Sequence, residues 1–220
     1  MRITRFAQSC ILIETKQQRI LIDPGHLLFD DSLLKEHWIN IDVLLVTHKH
    51  GDHCHADSIK EILKNPQTKF YASQEVAEAY PELTLQIVKV GEVIDSGEIK
   101  IEVVKAVHGF IPPLKGGKEI FENIGYIIDD GDARAYLTSD TICFDHGYQA
   151  DIVFIPICNH GLVMGPFEAG LFAQAAGAKL VIPVHYDNPK YSVDFKLAKQ
   201  IFEKQGLNFK FLDLKQSIEF

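Results

Sequence analysis

The sequence predicts an α/β chain in which two β-sheets pack face to face and helices cover their outer faces, all in one domain spanning residues 1–220. Three observations predict it. Short strand-like runs crowd the first half, a helix, strand, helix, strand alternation closes the second, and no linker rich in Pro, Gly or Ser separates the halves. A length of 220 residues fits one large domain.

In chain order, residues 10–14, 19–23, 43–47, 70–72, 85–90, 99–106, 125–128 and 135–138 are rich in Val, Ile, Leu and Tyr and are bounded by Gly, Asp, Asn or Pro. That pattern predicts strands. Residues 56–64, 166–176 and 193–205 space their apolar side chains three and four apart, as helices do, with Ser192 as cap and Gly206 as stop for the last. Strands at 152–155 and 180–183 lie between or beside these helices. Residues 27–38 and 110–119 have no clean period and are expected to be surface loops that carry substrate contacts.

Composition narrows the function. With 46% apolar and 24% charged residues the chain is neither disordered, collagenous nor a coiled coil. Lys plus Arg number 22 against 30 Asp plus Glu, a net charge of −8, so no nucleic-acid partner is expected. Cys10, Cys54, Cys143 and Cys158 include no CxxC pair and read as free thiols of a reducing compartment. No apolar stretch reaches the length of a membrane span, and Glu14 interrupts any signal-type core. The expectation is a cytoplasmic protein without membrane contact.

Thr47-His48-Lys49-His50-Gly51-Asp52-His53 follows directly on the apolar run Val43-Leu44-Leu45-Val46, so the histidines leave the end of a buried strand and enter a turn. Three imidazoles and a carboxylate this close are costly to gather unless something binds them. These donors suit zinc, and also manganese or iron. One turn cannot aim all of them at one ion. The spacing pairs His48 with His50 on one metal and Asp52 with His53 on a neighbour, the alternative being a solvated loop that happens to be rich in histidine.

These residues resemble the first signature of the metallo-β-lactamase superfamily, H-x-H-x-D-H after a strand. Further pieces stand in the family's order: Ile20-Leu21-Ile22-Asp23-Pro24-Gly25, then Lys105-Ala106-Val107-His108-Gly109, Leu137-Thr138-Ser139-Asp140-Thr141 and Ile182-Pro183-Val184-His185-Tyr186. The resemblance implies a four-layer αββα sandwich. It also implies two divalent metal ions, zinc foremost, with His48, His50 and His108 on one, Asp52, His53 and His185 on the other, and Asp140 bridging. A metal-bound hydroxide would then be the nucleophile of a hydrolase. Cys158-Asn159-His160-Gly161-Leu162-Val163-Met164-Gly165-Pro166 resembles the small single-domain branch that includes L-ascorbate-6-phosphate lactonase. Gln8-Ser9-Cys10 departs from it, standing where many relatives carry a histidine.

Asp52 and His160 are the candidate catalytic residues. His160 follows a strand end and reads either as a proton donor or transition-state anchor, or as a loop histidine bonded to backbone. Asp23 either orients a histidine, as family members use it, or is a plain turn aspartate. His55 is expected to begin a helix and Cys54 to pack beneath the site, while His26, His37 and His146 read as surface or loop residues. Lys115 and Lys118 are expected to be solvated loop lysines. Trp38, Phe29, Phe110 and Tyr186 are read as core aromatics that can also wall a pocket.

The leading function is a two-metal hydrolase acting on a small ester, lactone or phosphodiester with anionic character. A ribonuclease Z-like nuclease fits less well, because the chain is short and acidic. Di-iron redox chemistry lacks its glutamate at position 50 and its flavin domain. A metal-stabilised binding protein without turnover is the remaining alternative. Oligomeric state stays open, a homo-oligomer included.

Overall fold

The computed structural model describes residues 1–109, 120–160 and 162–220. Strands are β1 (Arg2–Arg5), β2 (Ile11–Glu14), β3 (Arg19–Ile22), β4 (Val43–Leu45), β5 (Lys69–Ala72), β6 (Gln86–Ile87), β7 (Val93–Ser96), β8 (Ile99–Lys105), β9 (Ile124–Asp129), β10 (Arg134–Leu137), β11 (Ile152–Pro156), β12 (Leu180–Val184) and β13 (Ser217–Glu219). Helices are α1 (Ala56–Ile62), α2 (Gln74–Ala79), α3 (Pro166–Ala175) and α4 (Phe195–Lys204). The chain divides into two compact units, Met1–Lys89 with Asp213–Phe220, and Val90–Leu212.

The first unit is built on a seven-stranded mixed sheet in the order β13-β1-β2-β3-β4-β5-β6. From β13 to β3 the neighbours are antiparallel, and from β3 to β6 they are parallel. A parallel pair needs a crossover, and α1 supplies it between β4 and β5 and α2 between β5 and β6. Buried Leu21, Leu44, Phe70, Ile59, Ile62 and Val76 join strands to helices in one core. That core is the main source of this unit's stability.

The second unit repeats the scheme with six strands in the order β12-β11-β10-β9-β8-β7, antiparallel from β7 to β10 and parallel from β10 to β12. Crossover helix α3 begins with Pro166 in its first turn, where a missing N–H costs nothing. Helix α4 turns Ala198 and Phe202 into the core and its charged residues outward. Val153, Ile155, Phe172, Val181 and Phe202 close this core.

The strands expected between 10 and 183 are present within a residue or two at most ends, except that the 85–90 run narrows to the two residues of β6. β1, β7, β13 and α2 are additions, each too short or too polar to announce itself. Helix α4 is capped by Asp194, whose side chain accepts from the Leu197 N–H, and not by Ser192. Gly206 does end it, at a φ of 70° that favours glycine. Residues 27–38 are more than a surface loop: Leu33–His37 forms a π-helical turn, with Leu33 and Trp38 buried. Positions 110–119, with Phe110, Lys115 and Lys118, lie outside the described residues.

Candidate metal centre

The histidine motif begins where β4 ends. Parallel strands leave backbone and side chains converging at their carboxyl ends, a common place for sites in α/β proteins. In the first unit the organising group is Asp23, just past β3 and only 1% exposed. Its Oδ1 accepts the Thr47 N–H at 2.8 Å, and its Oδ2 accepts the Thr47 hydroxyl at 2.8 Å and meets His53 Nδ1 at 2.8 Å. Asp23 therefore orients a histidine.

The consequence is a fixed tautomer. An ionised carboxylate accepts, so His53 Nδ1 carries the proton and Nε2 the lone pair. His48 follows the same logic. The Thr47 hydroxyl gives its proton to Asp23, so at 3.1 Å it accepts from His48 Nδ1, and His48 Nε2 keeps its lone pair. That Nε2 faces His50 Nδ1 at 3.1 Å, so the two ring nitrogens need a proton or a cation between them.

Close approach completes the turn. His26 N–H donates to Gly51 O at 2.9 Å and His55 N–H to Pro24 O at 2.9 Å, so residues 24–26 line the motif. A Cβ on Gly25 would sit 1.8 Å from the Asp52 carbonyl oxygen, and glycine is required there. Gln8, fully buried, donates its amide to Asp52 Oδ2 at 3.0 Å. The segment Gln8-Ser9-Cys10, set apart in the sequence as a departure from the family resemblance, thus supplies a side chain that steadies a carboxylate. Helix α2 fastens the middle of the motif: Glu75 pairs with Lys49 at 2.5 Å, and the Tyr80 hydroxyl donates to Lys49 O at 2.9 Å. Burial pushes the Tyr80 hydroxyl up to about 12. Helix α2 and its two contacts had no motif in the sequence to announce them.

In the second unit the donors come from three strand ends. Asp140 follows β10, His185 follows β12 and His108 stands three residues past β8. Asp140 Oδ2 lies 3.1 Å from His185 Nε2 and 3.8 Å from His108 Nε2, so one carboxylate oxygen stands near two imidazoles. His108 Nδ1 donates to Gly109 O at 2.6 Å, which leaves its Nε2 as the lone-pair atom. Asn123 donates to the Asp140 carbonyl at 2.5 Å and accepts from the Ser139 hydroxyl at 2.7 Å, holding the Asp140 backbone.

His185 Nδ1 lies 3.1 Å from Cys158 Sγ. His160 packs on Tyr191 at 4.5 Å between ring centroids and on His185 at 5.8 Å. Burial pushes the Cys158 thiol up, but hydrogen bonds from His160 and His185 outweigh it and hold the thiol below its ordinary value. His160 is thus a neighbour of Cys158 and His185 and not a loop histidine tied to backbone. Its role was left open by the sequence, and Cys158 was not among the candidates.

Left-handed backbone concentrates here. Of the eight non-glycine residues with positive φ among those described, Gln8 (56°), Asp23 (50°), Ser139 (64°), Asn159 (49°) and His185 (60°) are donor residues, residues bonded to donors or their immediate neighbours. Such conformations cost of order 1 kcal/mol or more each and persist where the surroundings over-determine them, which is typical of functional sites.

The remaining candidates fall elsewhere. Cys54 is buried beneath the motif turn and burial pushes its thiol up, and His55 is the residue before α1. His146 lies in a stretch without secondary structure, half-buried, its ring 3.9 Å, centroid to centroid, from Phe172 and stacked at 5.7 Å on Tyr148. The donors of each unit fit divalent cations: in the first, His53 offers its Nε2 lone pair and His48 Nε2 faces a second ring nitrogen, and in the second, His108 offers its Nε2 lone pair and Asp140 adds negative charge.

The Beta-lactamase superfamily domain family matches residues 2–185. A UPF0173 metal-dependent hydrolase of Geobacillus thermodenitrificans is 30% identical over 198 residues, covering 85% of this chain and 86% of that protein. Among solved structures, the metallo hydrolase Igni18 of Ignicoccus hospitalis aligns with a TM-score of 0.79 at 23% identity, covering 100% of this chain and 98% of that one. The metallo-β-lactamase fold protein YhfI of Bacillus subtilis gives a TM-score of 0.77 at 16% identity, covering 99% and 98%. The two mixed sheets with their helices thus have the α/β fold of these neighbours, and the chain belongs to the β-lactamase superfamily domain family, among its metal-dependent hydrolases.

Proposed function

We propose that the chain hydrolyses a small, anionic ester, lactone or phosphodiester with two divalent cations, zinc foremost and manganese or iron also suited. His48, His50 and His108 would hold one cation, Asp52, His53 and His185 the other, with Asp140 shared. When bound, the pair would generate a nucleophile from water near neutral pH and neutralise the charge that develops on the substrate. The observation that carries the reading is the Asp140 carboxylate, which presents one oxygen to both His185 Nε2 at 3.1 Å and His108 Nε2 at 3.8 Å.

The chain's own residues supply the rest. Asp23 and Thr47 fix the tautomers of His53 and His48, so that their Nε2 atoms keep the lone pairs without reorganisation. Gln8 holds the Asp52 carboxylate in one orientation. His160, whose ring packs against His185, would pass a proton to the leaving group. The net charge of −8 supports a small metabolite over a nucleic acid.

The test is a panel of lactones, thioesters, phosphodiesters and short RNA presented to the zinc- or manganese-loaded protein, with metal content measured alongside. Lactone or phosphodiester turnover with about two metals per chain is expected. Preferential RNA cleavage would favour the nuclease reading, and metal binding without turnover of anything would favour a binding protein.

A further inference from the structure

Three side chains of the second unit gather into a cluster in which the hydrolytic reading employs His160 and His185 but leaves Cys158 without a role. Cys158, His160 and His185 each offer one ligand atom, and these atoms lie within 4.8 Å of one another. Cys158 and His185 are buried and His160 is half-buried. The sulfur lies 3.1 Å from His185 Nδ1, the ring nitrogen opposite the one that faces Asp140. His160 Nδ1 is buried with no hydrogen-bond partner among the described residues. Two left-handed residues create the arrangement: Asn159 (φ 49°) turns the backbone between Cys158 and His160, and His185 (φ 60°) presents its ring edge-on to both Cys158 and Asp140.

We infer that Cys158, His160 and His185 form a site for a thiophilic divalent cation such as Zn²⁺ or Cd²⁺. Sulfur and imidazole nitrogen bind such ions at ~2.3 and ~2.0 Å, which sets tetrahedral edges of ~3.3–3.5 Å for one sulfur and two nitrogens. The 3.1 Å between Cys158 Sγ and His185 Nδ1 lies just below those edges, and the 4.8 Å within which all three atoms fall lies above them. Softness sets the preference: a thiolate with two imidazoles selects zinc and cadmium over manganese, whereas the nitrogen and oxygen donors near Asp140 accept all of them. Binding releases the thiol proton to solvent. A cation here engages His185 through Nδ1, and, if the proposed hydrolase reading holds, it competes for the histidine that the hydrolytic centre uses through Nε2. The cluster is then an inhibitory site for soft metals.

The test is titration of the metal-free full-length chain with Cd²⁺, followed by the ultraviolet charge-transfer absorption that only a cadmium–thiolate bond produces. A saturable band is expected in the wild type and in Cys143→Ser, which removes the exposed thiol. Cys158→Ser should abolish it, and His160→Ala should weaken Cd²⁺ affinity by at least ~10-fold. The proposal falls if the wild type shows no band, if Cys158→Ser keeps it, or if His160→Ala binds Cd²⁺ as tightly as the wild type. The band needs no substrate. A band without any hydrolase activity therefore overturns the hydrolytic reading alone, and turnover without a band overturns this site alone.

Discussion

The two units solve one problem in opposite ways. In the first, four donors lie within six residues of chain, and the work of positioning falls to a buried carboxylate 24 residues upstream of Thr47. In the second, His108, Asp140 and His185 stand 32 and 45 residues apart, and the sheet itself brings them together at the ends of β8, β10 and β12. The local cluster needs an external anchor, because a turn has too few backbone constraints to fix several rings. The dispersed cluster is anchored by the parallel and antiparallel registers of three strands. The finishing contact differs too: His53 is held by the oxygen of Asp23, His185 by the sulfur of Cys158. Oxygen makes the stronger, more directional bond, so the first unit should be the more rigid donor set and the second the more sensitive to soft metals.

Substituting the carboxylate of the dispersed set is the sharpest way to break this contrast. On the proposed two-metal reading, Asp140→Ala is expected to lower hydrolysis by more than ~100-fold and to lose one metal, because the negative charge that the two cations would share goes with it. Asp140→Asn should fall nearly as far, while Asp132→Ala, an exposed turn residue, should change little. Activity and metal content of the three variants, measured together, decide the point. Equal activity in Asp140→Ala and Asp132→Ala would remove Asp140 from the centre.

Stability separates the anchors next. Asp23→Ala strands the Thr47 N–H, the Thr47 hydroxyl and His53 Nδ1 in the interior, at ~1–3 kcal/mol for each buried group left unsatisfied, so a loss of about 3 kcal/mol or more is expected. Cys158→Ala leaves one imidazole N–H and a small void, and should cost about 1–2 kcal/mol. Denaturant midpoints of the two variants read the difference. A larger loss in Cys158→Ala would reverse the assignment of the rigid anchor.

The smallest effect concerns a carboxylate remote from either donor set. Hydrogen bonds, first from Lys179 at 2.7 Å and then from the Arg134 N–H, hold the Asp151 carboxyl below its ordinary value. A depressed folded-state pKa means that this contribution is present above the unfolded carboxyl value of ~3.9 and is lost as pH falls through the folded one. Asp151→Asn should cost about 1 kcal/mol at neutral pH, and the gap from wild type should close under acid conditions and shrink with salt. A gap that stays constant down to acid pH would show that the contact contributes through shape and not charge.

The motif His48, His50, Asp52, His53 was legible because its chemistry is written in adjacent letters, and the buried strand before it is marked by an unbroken apolar run. The α/β class was legible for a similar reason, since period and punctuation are local properties. His108, Asp140 and His185 had only strand-end context, and a family resemblance singled them out. Cys158 was invisible as a partner of His185, 27 positions away. Helix α2 escaped because six residues carry less than two helical turns of pattern. The sequence by itself determined the element types, the apolar faces and the local donor cluster, all of which depend on near neighbours along the chain. Only the tertiary structure decided which nitrogen of each histidine is the donor, that Asp23 and Gln8 steady the motif, and that Cys158 meets His160 and His185. Those depend on side chains from distant segments converging, and on hydrogen-bond partners that no spacing encodes.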